Sequence, residues 1–183
     1  MNVQNTSLPG VLLLEPKIFA DPRGFFLESY NRRVFAGLGL DLEFVQDNHS
    51  KSCRNTLRGM HLQLPPKAQD KLVRVLSGEI FDVVVDLRHG SPTFRQWEGH
   101  RLDANSMRML FIPKGFAHGF CVLSETAEIF YKCTDFYAPD MEMTLRWDDP
   151  MIGIRWPVTA PILSGRDQKG QPFDAMPEAF AWP

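Results

Sequence analysis

The stretch KLVRVLSGEIFDVVVDLR, residues 71–88, carries the clearest structural signal in the chain. Two runs rich in valine and leucine flank the turn-forming segment Ser77-Gly78-Glu79, which predicts a β-hairpin. On the returning strand alternate residues form an apolar face, whereas the other face mixes apolar residues with Asp82, Asp86 and Arg88. A mixed face borders either a wet cavity or solvent, and the pattern favours solvent.

Short strand patterns continue on both sides of this stretch. Further strands are predicted at residues 11–15, 25–30, 97–102, 107–112, 119–123 and 127–134, with one short helix within 31–40. Turns rich in Gly, Pro, Asp and Ser separate the strands, which is typical of an all-β sandwich or barrel. From about residue 157 the chain is proline-rich and irregular, and we expect this tail to wrap the surface. Because the sequence has no repeat or linker, residues 1–183 are predicted to form a single domain.

Composition and charge exclude several classes of function. The formal net charge of −2 over 183 residues gives no broad basic surface, so nucleic-acid binding is not expected. No apolar run reaches the ~18 residues that span a bilayer, and the start of the chain lacks the pattern of a signal peptide. The three cysteines are an odd number without a CxxC spacing, which argues against a disulfide framework and a zinc site. We therefore expect a cytoplasmic protein that does not bind membranes.

Several residues have the chemistry for proton transfer on an anionic substrate held in the mouth of a β-barrel. His61 lies in a glycine-broken segment, and histidine is the usual proton acceptor near neutral pH. Tyr131 could donate a proton to an enolate, and Asp167 could accept the second N–H of a histidine. The cations that could bind phosphate groups are Arg23, Arg58, Lys71 and Arg166. Taken singly, each of these residues fits a structural or surface role better than a functional one.

A metal site is the other chemistry that the sequence suggests. The segment Pro113-x-Gly115-x-x-His118 resembles the second metal-binding motif of the cupin superfamily. The first cupin motif needs a His-x-His pair, but the corresponding place reads His61-Leu62-Gln63. Transition-metal sites usually need three or four protein ligands, and two histidines are too few. The sequence therefore predicts a cupin that keeps its pocket and binds no metal.

The chain as a whole resembles the dTDP-4-dehydrorhamnose 3,5-epimerase family of nucleotide-sugar enzymes. The resemblance covers roughly residues 10–168 and is specific because many motifs recur in order. They lie at residues 19–28, 44–50, 57–63, 69–75, 78–88, 112–120, 131–137, 147–150, 154–157 and 163–167. One departure is Arg166, which replaces the lysine often found beside the aspartate of the family motif.

This resemblance implies a fold and a reaction. The expected fold is all-β, a cupin-type jelly-roll barrel with a few short helices, assembled into a homodimer through exchanged β-strands. The expected reaction inverts carbons 3 and 5 of dTDP-4-dehydro-6-deoxy-glucose without a metal or organic cofactor. The 4-keto group acidifies the neighbouring C–H bonds, so a base can form an enolate and an acid can return a proton to the opposite face.

The resemblance also assigns roles to residues. It implies that His61 is the general base, Asp167 its orienting carboxylate and Tyr131 the acid, and that Lys71 stabilises charge on the 4-keto oxygen. Tyr137 corresponds to the aromatic residue that stacks on thymine. The remaining nucleotide and diphosphate contacts that the resemblance implies are Arg23, Glu28, Gln46, Asp47, Asn48, Arg58, His118, Glu142 and Arg166.

Other functions stay open at this point. A relative with the same acid–base residues could epimerise only carbon 3 or only carbon 5, and a ketoisomerase of related fold would move the carbonyl instead. A non-catalytic cupin could bind the sugar as a sensor, and a metal-dependent cupin oxygenase would need the missing histidine. The retained Tyr131 and Tyr137 favour the double epimerase acting on a thymidine nucleotide.

Overall fold

The computed structural model describes residues 1–182 and consists mainly of antiparallel β-strands. The helical segments are α1 (Arg32–Gly37) and three single 3-10 turns at Pro139–Met141, Asp167–Lys169 and Phe173–Ala175. The strands are β1 (Asn2–Asn5), β2 (Leu12–Glu15), β3 (Ile18–Asp21), β4 (Gly24–Leu27), β5 (Gln46–Cys53), β6 (Leu57–Gln63), β7 (Lys71–Ser77), β8 (Glu79–Asp86), β9 (Trp97–Asp103), β10 (Met109–Ile112), β11 (Phe116–Val122), β12 (Thr126–Cys133) and β13 (Glu142–Thr144).

The strands form two main sheets. The first has the order β1-β2-β10-β7-β12-β5, and the second has the order β13-β6-β11-β8-β9. Strands β3 and β4 form a separate hairpin. Consecutive strands lie in different sheets at several points, so most neighbours in space are distant in sequence. The all-β prediction is confirmed.

The main hydrophobic core lies between the two sheets. Val73 on β7 and Ile129 on β12 meet Val84 on β8 and Val122 on β11 there, and all four side chains are fully buried. Removing such a side chain from water contributes about 1.5–3 kcal/mol. Because side chains alternate along a strand, the polar residues two positions away from these core residues face the same interior.

The outer face of each main sheet is also covered. The C-terminal tail packs Phe173, Met176 and Phe180 against the second sheet. Helix α1 places Phe35 against Leu14 and neighbouring residues of the first sheet. Asn31 caps this helix, because its side chain accepts hydrogen bonds from the backbone N–H groups of Arg33 and Val34.

Within residues 1–182, no helix is long and apolar enough to cross a membrane.

The predicted β-hairpin at residues 71–88 is wrong, although both of its strands exist. Strand β7 pairs with β10 and β12, whereas β8 pairs with β11 and β9, so the two strands belong to opposite sheets. Gly78 makes the crossing at a φ of +79°, and a Cβ there would lie 2.1 Å from the Thr126 carbonyl oxygen. Strand alternation alone cannot distinguish a hairpin from such a corner, because both arrangements bury one face of each strand.

The prediction of a solvent-facing side on β8 is also wrong. Asp82 and Asp86 are fully buried, and Arg88 is nearly so. The carboxylate of Asp86 accepts hydrogen bonds from Arg88 Nε at 2.8 Å, Ser91 Oγ at 2.6 Å and Thr93 Oγ1 at 2.7 Å. Buried charges of this kind persist only when they are paired and hydrogen-bonded. Since β8 is covered on both faces, its polar residues form internal networks.

Candidate active site

A cavity of about 390 Å³ opens at one end of the space between the two sheets. A smaller compartment of about 110 Å³ adjoins it and shares His61, Lys71, Tyr131 and Arg166. The larger cavity is lined by Gln46, Asn48, His61, Leu62, Gln63, Gln69, Lys71, Tyr131, Cys133, Tyr137, Glu142 and Arg166. The smaller one adds Ser50, Arg58, His118, Gly119 and Phe120. Most of the residues predicted from the sequence are therefore together.

Strand register explains why these side chains converge. Lys71 continues the inward face of β7 that carries Val73, and Tyr131 continues the inward face of β12 that carries Ile129. On the facing sheet, His61 of β6 lies directly opposite His118 of β11. The first sheet thus supplies the lysine and the tyrosine, and the second sheet supplies both histidines.

Two glycines bring the histidine-bearing strands unusually close together. A Cβ on Gly59, whose φ is +138°, would lie 2.5 Å from the Cα atom of Gly119. The pairing of β6 with β11 shifts register between His118 and Phe120, next to this contact. At this point the backbones of β6 and β11 are too close together to leave room for a side chain. This close approach explains why glycines occur in the sequence motifs around both histidines.

His61 and Asp167 form a hydrogen-bonded dyad. The distance from His61 Nε2 to Asp167 Oδ1 is 2.6 Å, and Ser164 Oγ donates to Asp167 Oδ2 at 2.8 Å. Asp167 begins the 3-10 turn of the C-terminal tail and is 2% exposed, whereas the His61 side chain is 19% exposed toward the cavity. The tail therefore completes a site built mainly from strands.

The environment of Asp167 fixes the tautomer of His61. Burial opposes ionisation of this carboxyl group, but the hydrogen bonds from His61 and Ser164 and the positive charge of Arg166 outweigh it and lower the pKa of Asp167 below its ordinary value. An ionised carboxylate can only accept, so Nε2 of His61 carries a proton. In the neutral imidazole the lone pair is then on Nδ1, which makes Nδ1 the basic atom.

Lys71 and Tyr131 face this dyad from the first sheet. Burial lowers the pKa of Lys71, although the surrounding acidic groups oppose the shift. Burial likewise raises the pKa of Tyr131, so its hydroxyl keeps its proton to a higher pH than an ordinary tyrosine does. The cavity therefore holds a base, a phenolic proton donor and a cation within one enclosed volume.

Three of the predicted contact residues form a cluster at the mouth of the larger cavity. The guanidinium group of Arg166 forms an ion pair with Glu142, and the Tyr137 hydroxyl donates to the same carboxylate at 2.8 Å. This bond to Glu142 raises the pKa of Tyr137. The Tyr137 side chain is half exposed, so one face of its ring is available for stacking.

Side chains alternate along β5, so the three residues from Gln46 to Asn48 do not all face the cavity. Gln46 and Asn48 line the cavity, and Gln46 Nε2 donates to Asn48 Oδ1 at 3.0 Å. Asp47 points to the outer face, where its carboxylate accepts from Lys132 Nζ at 2.6 Å. Within this chain Asp47 is therefore outside the cavity. Arg58 lines the smaller compartment and is positioned by a 3.0 Å hydrogen bond to Ser52 Oγ.

Arg23 and Glu28 do not line the cavity of this chain. Arg23 lies in the β3–β4 hairpin with a side chain that is 90% exposed, and it pairs with Asp21 at 2.6 Å. Glu28 follows the hairpin and accepts a hydrogen bond from Asn31 at 3.1 Å. The hairpin also exposes four large apolar side chains, Ile18, Phe19, Phe25 and Phe26.

Sequence reasoning missed Asp82 as a residue of the site. Its buried carboxylate contacts His118 Nε2 through both oxygens, at 2.9 and 3.0 Å, and His118 lines the smaller compartment. A carboxylate in the middle of the apolar run of β8 was the available signal, because an unpaired charge is not stable there. Ser164 and Cys133 were also missed, the first as a donor to Asp167 and the second as a wall of the cavity.

The two histidines of the cupin-like motifs form hydrogen bonds with different carboxylates. Nε2 of His61 bonds to Asp167, and Nε2 of His118 bonds to Asp82. In the described part of the chain, no group of three or more His, Cys, Asp or Glu side chains is arranged to hold a metal ion. The geometry instead suits proton transfer and anion binding.

Comparison with known proteins is consistent with this chemistry. A family profile described as dTDP-4-dehydrorhamnose 3,5-epimerase matches residues 5–175. The chain belongs to this family. A curated dTDP-4-dehydrorhamnose 3,5-epimerase from Shigella flexneri is 55% identical over 174 residues, which cover 94% of this chain and 96% of the relative. A dTDP-4-dehydrorhamnose 3-epimerase from Streptomyces niveus is 42% identical over 169 residues, which cover 92% and 82% of the two chains.

A solved structure of the dTDP-4-dehydrorhamnose epimerase family is nearly superimposable on this one. It is a dTDP-6-deoxy-D-glucose-3,5-epimerase from Legionella pneumophila in complex with dTDP-4-keto-L-rhamnose. The TM-score is 0.95 at 44% sequence identity, and the match covers 100% of this chain and 98% of the other. The prediction of a cupin-type jelly roll is confirmed.

Proposed function

We propose that this protein is a dTDP-4-dehydrorhamnose 3,5-epimerase. It converts dTDP-4-dehydro-6-deoxy-D-glucose to dTDP-4-dehydro-L-rhamnose by inverting carbons 3 and 5, as a step of dTDP-L-rhamnose biosynthesis. The observation that carries the proposal is the His61–Asp167 dyad, which faces Tyr131 and Lys71 across one cavity. This set supplies a base, an acid and a cation, and the reaction needs no other chemistry from the protein.

Proton transfer proceeds through an enolate. Nδ1 of His61 removes the proton from a carbon next to the 4-keto group, and the electron pair moves into the carbonyl to give an enolate oxygen. Lys71 stabilises the charge on this oxygen, a contribution worth about 3–4 kcal/mol for a preorganised donor. Tyr131 then donates its proton to the opposite face of the same carbon. Proton exchange with solvent restores both residues before the second carbon reacts.

The nucleotide is bound by the residues around the dyad. Tyr137 offers its exposed ring to thymine, and Arg58, His118 and Arg166 supply positive or polar groups for the diphosphate. Pairing with Asp82 orients the imidazole of His118 for this contact. The named ligand of the Legionella relative, dTDP-4-keto-L-rhamnose, is the keto sugar expected as the product here.

We infer that the functional unit is a homodimer in the cytoplasm. The apolar hairpin β3–β4 projects from the chain with its phenylalanines exposed, as is expected of a segment that packs on a second copy. In such a dimer Arg23 on this hairpin, and Glu28 directly after it, reach the cavity of the other subunit. The homodimer prediction is tested by size-exclusion chromatography with light scattering of the wild-type protein and of a variant with serine at Phe25 and Phe26.

An epimerase that inverts a single carbon is the alternative function. The Streptomyces niveus 3-epimerase is 42% identical to this chain, compared with 55% for the Shigella flexneri 3,5-epimerase. The test is the stereochemistry of the product. Purified protein is incubated with dTDP-4-dehydro-6-deoxy-glucose, and proton coupling constants give the configuration of the trapped product. Inversion at both carbons supports the proposal, whereas inversion at one carbon supports the alternative.

A further inference from the structure

The smaller compartment is the inner end of the active-site cavity. Tyr137 and Glu142, which lie at the mouth, line the larger cavity but not the smaller compartment. Phe120 lines the smaller compartment but not the larger cavity, and it belongs to the main core between the two sheets. His61 and Tyr131 line both volumes, so the reacting carbons of a bound sugar lie where the two volumes meet.

The structure of the substrate determines which part of the sugar lies in this compartment. The inference rests on the proposed function, because it takes the ligand to be a dTDP-4-keto-6-deoxy sugar. With thymine on Tyr137 and the diphosphate on the exposed Arg58 and Arg166, carbon 1 is on the outer side of the sugar ring. Carbon 4 lies across the ring from carbon 1 and is therefore innermost. The methyl carbon 6 is attached to carbon 5, which neighbours carbon 4, so it lies at the inner end as well.

Phe120 is the apolar part of a compartment whose other side chains are polar or charged. Within residues 1–182, it is the only lining residue of the smaller compartment that has a pure hydrocarbon side chain. On the neighbouring strand Asp82 lies opposite Phe120, but its carboxylate contacts Nε2 of His118 and does not line the compartment. A hydroxyl group held against the phenyl ring would therefore lose water without gaining this carboxylate as a partner.

We propose that Phe120 is a specificity-determining residue, which selects 6-deoxy sugars by packing against the methyl group at carbon 6. A methyl group on the phenyl ring is removed from water at no cost in hydrogen bonds. The hydroxymethyl group of an ordinary hexose is larger, and its hydroxyl group must give up hydrogen bonds to water there. A pentose without carbon 6 leaves the same space unfilled and loses the contact. Phe120 therefore favours the 6-deoxy sugar over both.

The test compares the affinities of three unreactive nucleotide sugars by isothermal titration calorimetry. They are dTDP-6-deoxy-D-glucose, dTDP-D-glucose and dTDP-D-xylose, which differ only at carbon 6, so the contributions of the nucleotide contacts cancel. The wild-type protein is expected to bind dTDP-6-deoxy-glucose about 10- to 100-fold more tightly than dTDP-glucose. The expected preference over dTDP-xylose is about fourfold, as for the burial of one CH₂-sized group.

Phe120→Leu shortens the side chain and leaves room for the hydroxymethyl group together with a water molecule. Both preferences are expected to fall by at least about threefold. Phe120→Met keeps more of the volume and is expected to show the same fall, so the test stands even where the leucine variant does not fold. The matched control is Phe111→Leu, the same change at a phenylalanine that is 4% exposed and packs near helix α1. It is expected to leave both preferences unchanged.

Equal affinities of the wild-type protein for dTDP-6-deoxy-glucose and dTDP-glucose overturn the inference. Preferences that stay unchanged in the folded Phe120 variants overturn it too, since another group would then select the methyl group. Turnover of dTDP-4-dehydro-6-deoxy-glucose by the wild-type protein tests the proposed function separately. A protein that turns over this sugar but binds all three analogues equally loses only the inference on Phe120.

Discussion

Replacing Asp167 with asparagine is expected to disable the base while leaving the fold intact. The two side chains have nearly the same size, and asparagine can still accept the hydrogen bond from Ser164 Oγ. The amide, however, presents an N–H group where the carboxylate accepted from Nε2 of His61. To pair with this donor the imidazole must move its proton to Nδ1, and the basic atom of the mechanism is then blocked.

The size of the effect follows from the geometry of the dyad. A hydrogen bond to a charged group contributes about 1.5–3 kcal/mol, and each 1.36 kcal/mol changes a rate tenfold, so its loss alone lowers kcat by about 10- to 150-fold. The change of tautomer adds to this loss. We therefore expect kcat to fall by at least about 10²-fold, with a much smaller change in KM, because Asp167 does not reach the substrate.

The assay measures kcat and KM for the dTDP-4-keto sugar, with circular dichroism and melting temperature as controls for folding. Ser164→Ala is the matched variant, since it removes the hydroxyl that donates to the same carboxylate but leaves the hydrogen bond between Asp167 and His61 in place. It should lower kcat less than Asp167→Asn does, because His61 keeps its tautomer. A folded Asp167→Asn variant with wild-type kcat would refute the role of the dyad.

Three further predictions concern the acid, the cation and the core. Tyr131→Phe should lower product formation by about 10²-fold or more, while substrate protons still exchange with deuterium, because only the returning proton is lost; equal loss of exchange and product contradicts this role. Burial lowers the pKa of Lys71, so kcat should fall as rising pH removes this cation. Lys71→Arg should move that basic limb of the pH profile upward, and an unmoved limb would assign it to another group. Leu110→Ala should reduce the free energy of unfolding in urea by about 2–5 kcal/mol without changing kcat at low temperature, and a smaller loss would mean that this core position repacks.

The sequence predicted the strands better than their partners. Eight of the structure's strands overlap predicted segments, because alternating apolar residues bounded by turn residues are a local signal. The pairing of β7 and β8 was predicted wrongly, since a corner between sheets and a hairpin share the same local pattern. Strands β5 and β6 were not recognised as strands from their polar, glycine-containing sequences, although they carry Asn48 and His61. Their inward residues line a cavity, so an apolar alternation is not required of them.

The candidate site shows the same division between local and long-range information. His61 and Asp167 are 106 residues apart, and no spacing rule connects them. They could be paired before the structure only through resemblance to the family. Asp82 was assigned to solvent because its burial depends on the first sheet, which faces this side of β8 and is not visible in the local pattern. A carboxylate within a strongly apolar strand is, in retrospect, better interpreted as half of a buried pair.

The role of His61 is tested most directly by NMR of the sugar protons at carbons 3 and 5 while the protein acts on dTDP-4-dehydro-6-deoxy-glucose in D₂O. We expect both protons to exchange with the wild-type protein and neither to exchange measurably with a folded His61→Ala variant. Exchange at both carbons with His61→Ala at the wild-type rate would show that His61 is not the base. Exchange at one carbon only with the wild-type protein would contradict the double epimerisation.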